Sequence, residues 1–254
     1  MDIYYRISEN STLKHRICGK WICLVNFFIH FVNKEDRLIL IADNCSDKAV
    51  QTLKTLTGLF CPAPVKPLLT SLGNSASWRY ACQQAMADGT ESIYFVEDDY
   101  LHRPHGRTLL LEGLEIADYV TLYDHPDKYW SPEKGGNPLV VKGGEKSRVL
   151  RTPSAIWKVT NSTTMTFATR KTCLLRDRSI WGKHTESSPP DDFHAFLDIA
   201  RHGAELISPL PAHATHGDLA FLAPGIDWHA VIGETYAQMT RHIRDGDLLR
   251  YLIP

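Results

Sequence analysis

Apolar residues along this chain come in two rhythms. Short continuous runs, such as Arg37–Ala42 (Arg-Leu-Ile-Leu-Ile-Ala) and Ser92–Val96, carry little polar interruption. Such runs suit strands buried on both faces of a parallel sheet. Longer segments repeat at helical spacing: within Leu13–Val32, Ile17, Trp21, Leu24, Val25, Phe28 and Val32 form a wide stripe. In order, the pattern predicts a strand at Ile3–Ile7, a helix at Leu13–Val32, a strand at Arg37–Ala42 and a helix at Ser46–Leu59, capped by Ser46 or Asp47. A short strand at Val65–Leu69 follows Pro62 and Pro64, and a helix at Ser75–Ala87 stops at Asp88-Gly89. Then come a strand at Ser92–Val96, a helix at Leu109–Ile116 and a strand at Tyr119–Leu122. This alternation predicts a doubly wound α/β sheet.

After Tyr123 the character changes. Lys128–Thr152 is rich in Gly, Pro, Lys and Glu and predicts a hairpin tip, a mobile lid, or both. Strands are expected at Ile156–Val159, Thr164–Thr169 and Glu205–Ile207, with helices at Pro189–Arg201 and Glu234–Arg244 and an irregular His-rich stretch between the last two elements. There are no internal repeats and no low-complexity tract.

Composition narrows the class. The chain has 254 residues, 43% hydrophobic, enough for one large domain with a substantial core. Lys and Arg number 28 against 29 Asp and Glu, for a formal net charge of −1. No global field draws it to nucleic acid or to an anionic membrane, although a local basic groove is compatible with that balance. Cys18, Cys23, Cys45, Cys61, Cys82 and Cys173 are scattered, form no CxxC pair, and read as reduced thiols of a cytoplasmic protein. The first residues read as a strand rather than a signal peptide. The most apolar stretch, Trp21–Val32, is shorter than the roughly 20 residues of a spanning helix. It predicts a core helix and no transmembrane segment, and leaves peripheral membrane contact open.

Candidate chemistry starts at Glu97-Asp98-Asp99, which follows the uncharged run Ser92–Val96. In an open parallel sheet, ligands gather outside the carboxyl ends of the strands. Adjacent carboxylates repel one another unless a cation or hydrogen-bond donors compensate them. Mg²⁺ and Mn²⁺ prefer oxygen ligands and bind through one or two carboxylates plus substrate phosphates.

With these residues in place, the chain resembles the GT-A fold glycosyltransferases, especially the family 2-like inverting enzymes. The resemblance rests on an ordered set over roughly residues 1–100. Arg6-Ile7-Ser8-Glu9 ends the first strand, and Ala42-Asp43-Asn44-Cys45-Ser46-Asp47 is like the "D-N-x-S-x-D" after the second. Gly73-Asn74-Ser75-Ala76-Ser77 opens a helix as does the family's turn beside the diphosphate, and Phe95-Val96-Glu97-Asp98-Asp99 is similar to the "D-x-D" metal signature in its "x-D-D" form. Glu97 stands where the family has the first acid of that signature.

The resemblance implies a single GT-A (Rossmann-like) α/β domain over residues 1–254, its mixed central sheet flanked by helices. Residues 1–122 would bind the nucleotide sugar, and residues 123–254 would form the acceptor part with a C-terminal tail. It implies Arg6, Ser8 and Asn74 on the donor, Asp43 on the nucleobase, Asp98 or Glu97 near the sugar and ribose, and Asp99 on Mn²⁺ or Mg²⁺. In Pro189-Pro190-Asp191-Asp192, Asp192 matches the family's base and Asp191 replaces its Glu, with Glu186 in reserve. A helix N-terminus favours Pro followed by acids in any case. His216, or second His213, would add a metal ligand. Asp124-His125-Pro126-Asp127 would shape the acceptor side, and Trp130, Trp157 and Trp181 are candidates to stack on sugars, though Trp is equally a core residue.

The expected activity is metal-dependent transfer of a sugar from a nucleotide sugar, UDP-linked, to a hydroxyl of a glycan or other acceptor, with inversion. Two alternatives stand beside it. A nucleotidyltransferase also joins an α/β sheet to a metal, but Arg6–Lys14 lacks the glycines such enzymes carry after the first strand. A non-catalytic nucleotide- or glycan-binding protein on a degenerate scaffold would bind donor without transfer.

Overall fold

The computed structural model describes residues 1–9, 15–140 and 144–252. The continuous apolar runs become the centre of one mixed sheet. Strands β1 (Asp2–Ser8), β2 (Arg37–Asp43), β3 (Val65–Thr70) and β4 (Ser92–Glu97) are mutually parallel in the order β3-β2-β1-β4. Alternate side chains feed two cores. Ile3, Tyr5, Ile7, Leu38, Leu40, Tyr94 and Val96 enter one, and Tyr4, Ile39, Ile41, Ile93 and Phe95 enter the other.

Between the parallel strands run helices α1 (Lys20–His30), α2 (Asp47–Phe60) and α3 (Asn74–Asp88). Ser46 caps α2 by accepting from the Ala49 N–H. Helix α1 buries eight consecutive residues, Trp21–Phe28. A helix apolar all round must be covered all round, and α8 (Trp228–His242) supplies the second cover. The helix predicted from Leu13 begins only at Lys20, because Gly19 is extended and residues 15–18 instead run alongside Gly217–Leu219. Residues 10–14, part of that predicted helix, lie outside the described residues.

Tyr100–His102 forms an unpredicted strand, β5, after the acidic triplet. Helix α4 (Gly106–Leu114) and β6 (Tyr119–Val120) follow. The second half contains β7 (Val149–Arg151), β8 (Ile156–Thr160), β9 (Phe167–Arg170), the short helices α5 (Lys171–Arg176) and α6 (Arg178–His184), α7 (Asp192–Arg201) and β10 (Leu206–Leu210). It extends the sheet to β3-β2-β1-β4-β9-β6-β10-β8-β7, with β9 antiparallel to both neighbours. The sheet is therefore mixed, as the resemblance implies, with cores on both faces.

The stretch expected to be irregular contains β11 (Ala214–His216), which pairs antiparallel with β5. Helix α8 begins six residues before its predicted start because Asp227 caps it, accepting from the Ala230 N–H, and a further helix α9 (Gly246–Leu252) follows. The described parts of Lys128–Thr152 are tied down rather than forming a free hairpin tip. The Lys128 ammonium donates to the Ser162 hydroxyl at 2.7 Å, and Glu145 accepts from the Thr160 hydroxyl and the Asn161 N–H. Residues 141–143 of that loop lie outside the described residues. All six cysteines are free. Among the described residues no helix is long and apolar enough to cross a membrane.

Candidate active site

Register puts the chemistry in one place. Ser8 lies opposite Asp43, Asp43 opposite Thr70, and Arg6 opposite Glu97, all at the carboxyl ends of neighbouring parallel strands. There a cavity of about 360 Å³ opens, lined by Arg6, Ser8, Asp43, Asn74 and the three acids 97–99, together with Arg16.

Asp43 ends β2 with its carboxylate fully engaged by its own chain. The Thr70 hydroxyl (2.8 Å) and Leu72 N–H (2.7 Å) donate to one oxygen, and the Gly73 N–H and Asn44 amide (both 2.8 Å) donate to the other. These bonds fix the turn into α3. Gly73 has φ +86° there, a conformation costly for residues with a Cβ. No side chain caps α3, and Gly73, Asn74 and Ser77 at its start line the cavity.

Arg6 points to the α3 side of the sheet. One of its terminal nitrogens donates to the Asn74 carbonyl (2.9 Å), the Asn74 side-chain oxygen (3.1 Å) and the Ser77 hydroxyl (3.3 Å). The other reaches Glu97 at 3.0 Å. Glu97 also receives the Thr166 hydroxyl, and the Glu97 N–H donates to that hydroxyl at 3.1 Å. Burial raises the Glu97 carboxyl pKa, with the Arg6 charge opposing the shift. The residue that departs from the "D-x-D" pattern is thus held by a framework arginine.

The two aspartates differ. Asp98 is buried and accepts the Ser8 N–H at 2.9 Å, and burial, then its neighbour Asp99, pushes its pKa up to about 6. Asp99 is partly buried, and burial alone would raise its pKa. The His216 ring and the Arg16 guanidinium overcome that and hold it below the usual carboxylate range. Both touch one oxygen: Arg16 at 2.7 Å and His216 Nε2 at 3.2 Å meet Oδ2, while the buried Oδ1 has no partner.

The pairing of β5 with β11 causes this meeting. It sets His216 opposite Tyr100, and the Gly217 N–H donates to the Asp99 carbonyl at 2.6 Å. A Cβ on Gly217 would lie 3.0 Å from that carbonyl oxygen, so the close approach favours glycine. His213, the second histidine candidate, instead meets the Pro104 carbonyl through Nδ1 at 3.2 Å.

Asp191 is the N-cap of α7. Its carboxylate accepts from the His194 N–H (3.2 Å) and lies 2.9 Å from the His194 ring nitrogen. Asp192 occupies the first helical position. Its pKa is raised to about 7 by burial first and by the nearby Glu97 charge second. Asp192 does not line the cavity itself. Glu186 is exposed in the preceding loop. Trp157 and Trp181 are 0% and 1% exposed and belong to the core, whereas Trp130 packs beside Phe221 with ring centroids 6.2 Å apart. The expected sugar-stacking role is therefore corrected for Trp157 and Trp181, which no ligand can reach.

The residues present fit a divalent cation as a site completed by its ligand. Asp99 and His216 offer an oxygen and a nitrogen on converging side chains, and the orphaned Asp99 Oδ1 offers a further acceptor. Among the described residues no group of three or more such side chains forms a preformed cage. Two protein ligands plus phosphate oxygens is an ordinary arrangement for Mg²⁺ and Mn²⁺.

No protein-family model matches the sequence, and no curated protein matches it. Solved structures do match. GalNAc-T7, crystallised with UDP, GalNAc and Mn²⁺, superposes at a TM-score of 0.52 with 10% identity, over 85% of this chain and 42% of its own. The fold is that of the GT-A glycosyltransferases. Staphylococcus aureus TarS, residues 1–349, aligns over 96% of this chain and 67% of its own at 14% identity and a TM-score of 0.49. LgtC, with donor and acceptor sugar analogues, aligns over 82% and 73% at 9% identity and 0.46. At such identities the likeness concerns the GT-A fold alone, and this chain spans less than half of the GalNAc-T7 chain.

Three cavity features had no counterpart in the sequence patterns. Arg16 lies in the segment read as helix, Lys20 donates to the Ser8 carbonyl from the start of α1, and Thr166 braces Glu97 from the start of the β9 region. An isolated Arg or Thr carries no periodic signal.

Proposed function

We propose that this protein is a metal-dependent glycosyltransferase that moves a sugar from a UDP-linked donor to a hydroxyl acceptor with inversion. The observation that carries the reading is the convergence of Arg6, Asp43, Asn74 and the triplet Glu97–Asp99 on one cavity, with His216 brought onto Asp99. The UDP, GalNAc and Mn²⁺ bound by GalNAc-T7 favour a uridine nucleotide and a divalent ion.

In this reading Asp43 and Asn44 shape the nucleobase side. The uncapped start of α3 receives the diphosphate through backbone N–H groups. Asp99 and His216 hold Mn²⁺ or Mg²⁺, which supplies Lewis-acid stabilisation of the leaving nucleoside diphosphate. Asp98 orients the sugar or ribose through its free oxygen. Asp192 takes the proton from the acceptor hydroxyl, whose oxygen bonds to the anomeric carbon as the bond to the β-phosphate oxygen breaks. A pKa near 7 suits that task, because the base is then both ionised and a competent proton acceptor at neutral pH. Asp191 serves as cap and support for that helix start.

Residues 1–122 act as the donor part, and residues 123–254 add the acceptor side around Asp124–Trp130 and Phe221. A panel of nucleotide sugars assayed with Mn²⁺ for nucleoside diphosphate release tests the reading. Release from one donor class, stimulated by a sugar acceptor, is the expected result. Donor binding without release would instead support a binding protein, and pyrophosphate release from a nucleoside triphosphate with a sugar phosphate would support a nucleotidyltransferase.

A further inference from the structure

We propose that Arg16 is a diphosphate ligand that exchanges its bond to Asp99 for phosphate oxygens when metal and nucleotide bind. This rests on the glycosyltransferase reading and adds a residue to it.

The cavity is lined by two arginines and four acids, Asp43, Glu97, Asp98 and Asp99. Arg6 is committed to the framework, bonded to Asn74, Ser77 and Glu97. Arg16 is differently placed. Its backbone is pinned beside β11 by the Ile17 N–H on the Gly217 carbonyl and the Leu219 N–H on the His15 carbonyl, both 2.8 Å. Its guanidinium stands at the cavity wall and meets Asp99 Oδ2 at 2.7 Å.

That oxygen is the one His216 also faces, at 3.2 Å. A divalent ion held by Asp99 and His216 would therefore compete with the guanidinium for that carboxylate. Two cations on one carboxylate repel strongly in a partly buried site. The guanidinium must leave Oδ2, and the incoming anion is the diphosphate. A planar fork of N–H donors matches phosphate oxygens in pairs, which a point charge does not. Arg16 thus trades the Asp99 carboxylate for phosphate oxygens when the nucleotide binds. The exchange also explains how three adjacent acids tolerate one another before metal binds.

The proposal predicts effects of opposite sign from one substitution. In Arg16→Gln, Mn²⁺ binding to the nucleotide-free protein, read from the free-ion paramagnetic resonance signal, tightens on the order of tenfold, because a competing cation is gone. UDP binding at saturating Mn²⁺, measured by calorimetry, weakens on the order of tenfold, because phosphate donors are gone. Arg16→Lys keeps the charge and loses the fork, so it leaves Mn²⁺ affinity near wild type and recovers only part of the UDP affinity. An arginine that merely braced the loop would give Arg16→Gln weaker binding of both probes, and that result overturns the proposal. Unchanged UDP affinity in Arg16→Gln overturns it as well. Wild-type protein that binds neither Mn²⁺ nor UDP overturns the glycosyltransferase reading itself, a different and distinguishable outcome.

Discussion

Replacing Asp192 by Asn removes one oxygen's charge and almost no volume, so it isolates the proposed base. The folded protein holds this carboxyl at about pKa 7, by burial and by the neighbouring Glu97 charge. At pH 7 about half the molecules carry the ionised base, and at pH 6 about one tenth. The wild-type kcat/KM for transfer is therefore expected to rise about tenfold per unit up to pH 7 and then level off. Asp192→Asn should lower the plateau by about 10²–10⁴ and abolish that rise. Stability runs the other way. A carboxyl whose folded pKa is raised stabilises the fold while protonated, and that contribution is lost as pH climbs through about 7. The Asn variant should then melt at or above the wild-type temperature at pH 8, which separates lost chemistry from lost folding. Glu97→Gln removes the charge that helps raise the pKa, so the inflection should move to lower pH. The assay is initial-rate nucleoside diphosphate release between about pH 5.5 and 8, beside thermal melts of each variant. An Asn variant within about threefold of wild type, or a flat wild-type profile, would refute the assignment.

Other consequences concern the metal pair and the scaffold. Asp99→Asn or His216→Ala should erase the Mn²⁺-dependent rise in melting temperature with UDP, about 5–10 °C for a ligand near 100 times its Kd on a chain of this size; a full rise in either variant would remove that residue from the site. Asn26→Leu keeps side-chain volume but strands the His102 N–H (2.6 Å) and removes the donor to the His102 carbonyl (3.2 Å) and the Thr235 hydroxyl (3.1 Å), groups that the Asn26 amide ties together between α1, β5 and α8. Chemical denaturation should show a loss of about 2–5 kcal/mol, and a loss under about 0.5 kcal/mol would mean the network relaxes freely. His102 is fully buried and its pKa is lowered to about 3, chiefly by burial. Its contribution to stability is complete above the unfolded value near 6.5 and drains as pH falls towards about 3, by about 1.4 kcal/mol per unit. The difference in denaturation free energy between wild type and His102→Gln should shrink with that slope on acidification, and a constant difference would assign the acid sensitivity elsewhere.

Much of the first half of the chain was legible because its signals are local. Arg-Leu-Ile-Leu-Ile-Ala at 37–42 and Ser92–Val96 can bury both faces only inside a sheet, and each ends on the acids it presents. Ser46 announces its helix by chemistry that needs no partner from afar. Element edges were less exact where tertiary pairing competes with propensity. Residues 15–18 carry part of a helical stripe, yet extended pairing with Gly217–Leu219 holds them. His216 was one of 12 histidines, and its spacing alone did not separate it from His213. The antiparallel pairing of Tyr100–His102 with Ala214–His216 separates them, turning one ring onto Asp99 and leaving the other on the Pro104 carbonyl.

The sequence by itself therefore determined the alternating α/β layout and the acids at the strand ends, because periodicity and strand polarity are properties of neighbouring residues. Only the tertiary structure decided that Glu97 is taken by Arg6, that Asp43 is saturated by the turn into α3, and that Arg16 and His216 share one oxygen of Asp99. Those outcomes depend on which distant donor reaches a carboxylate first, and that is fixed by strand register and packing rather than by any spacing along the chain.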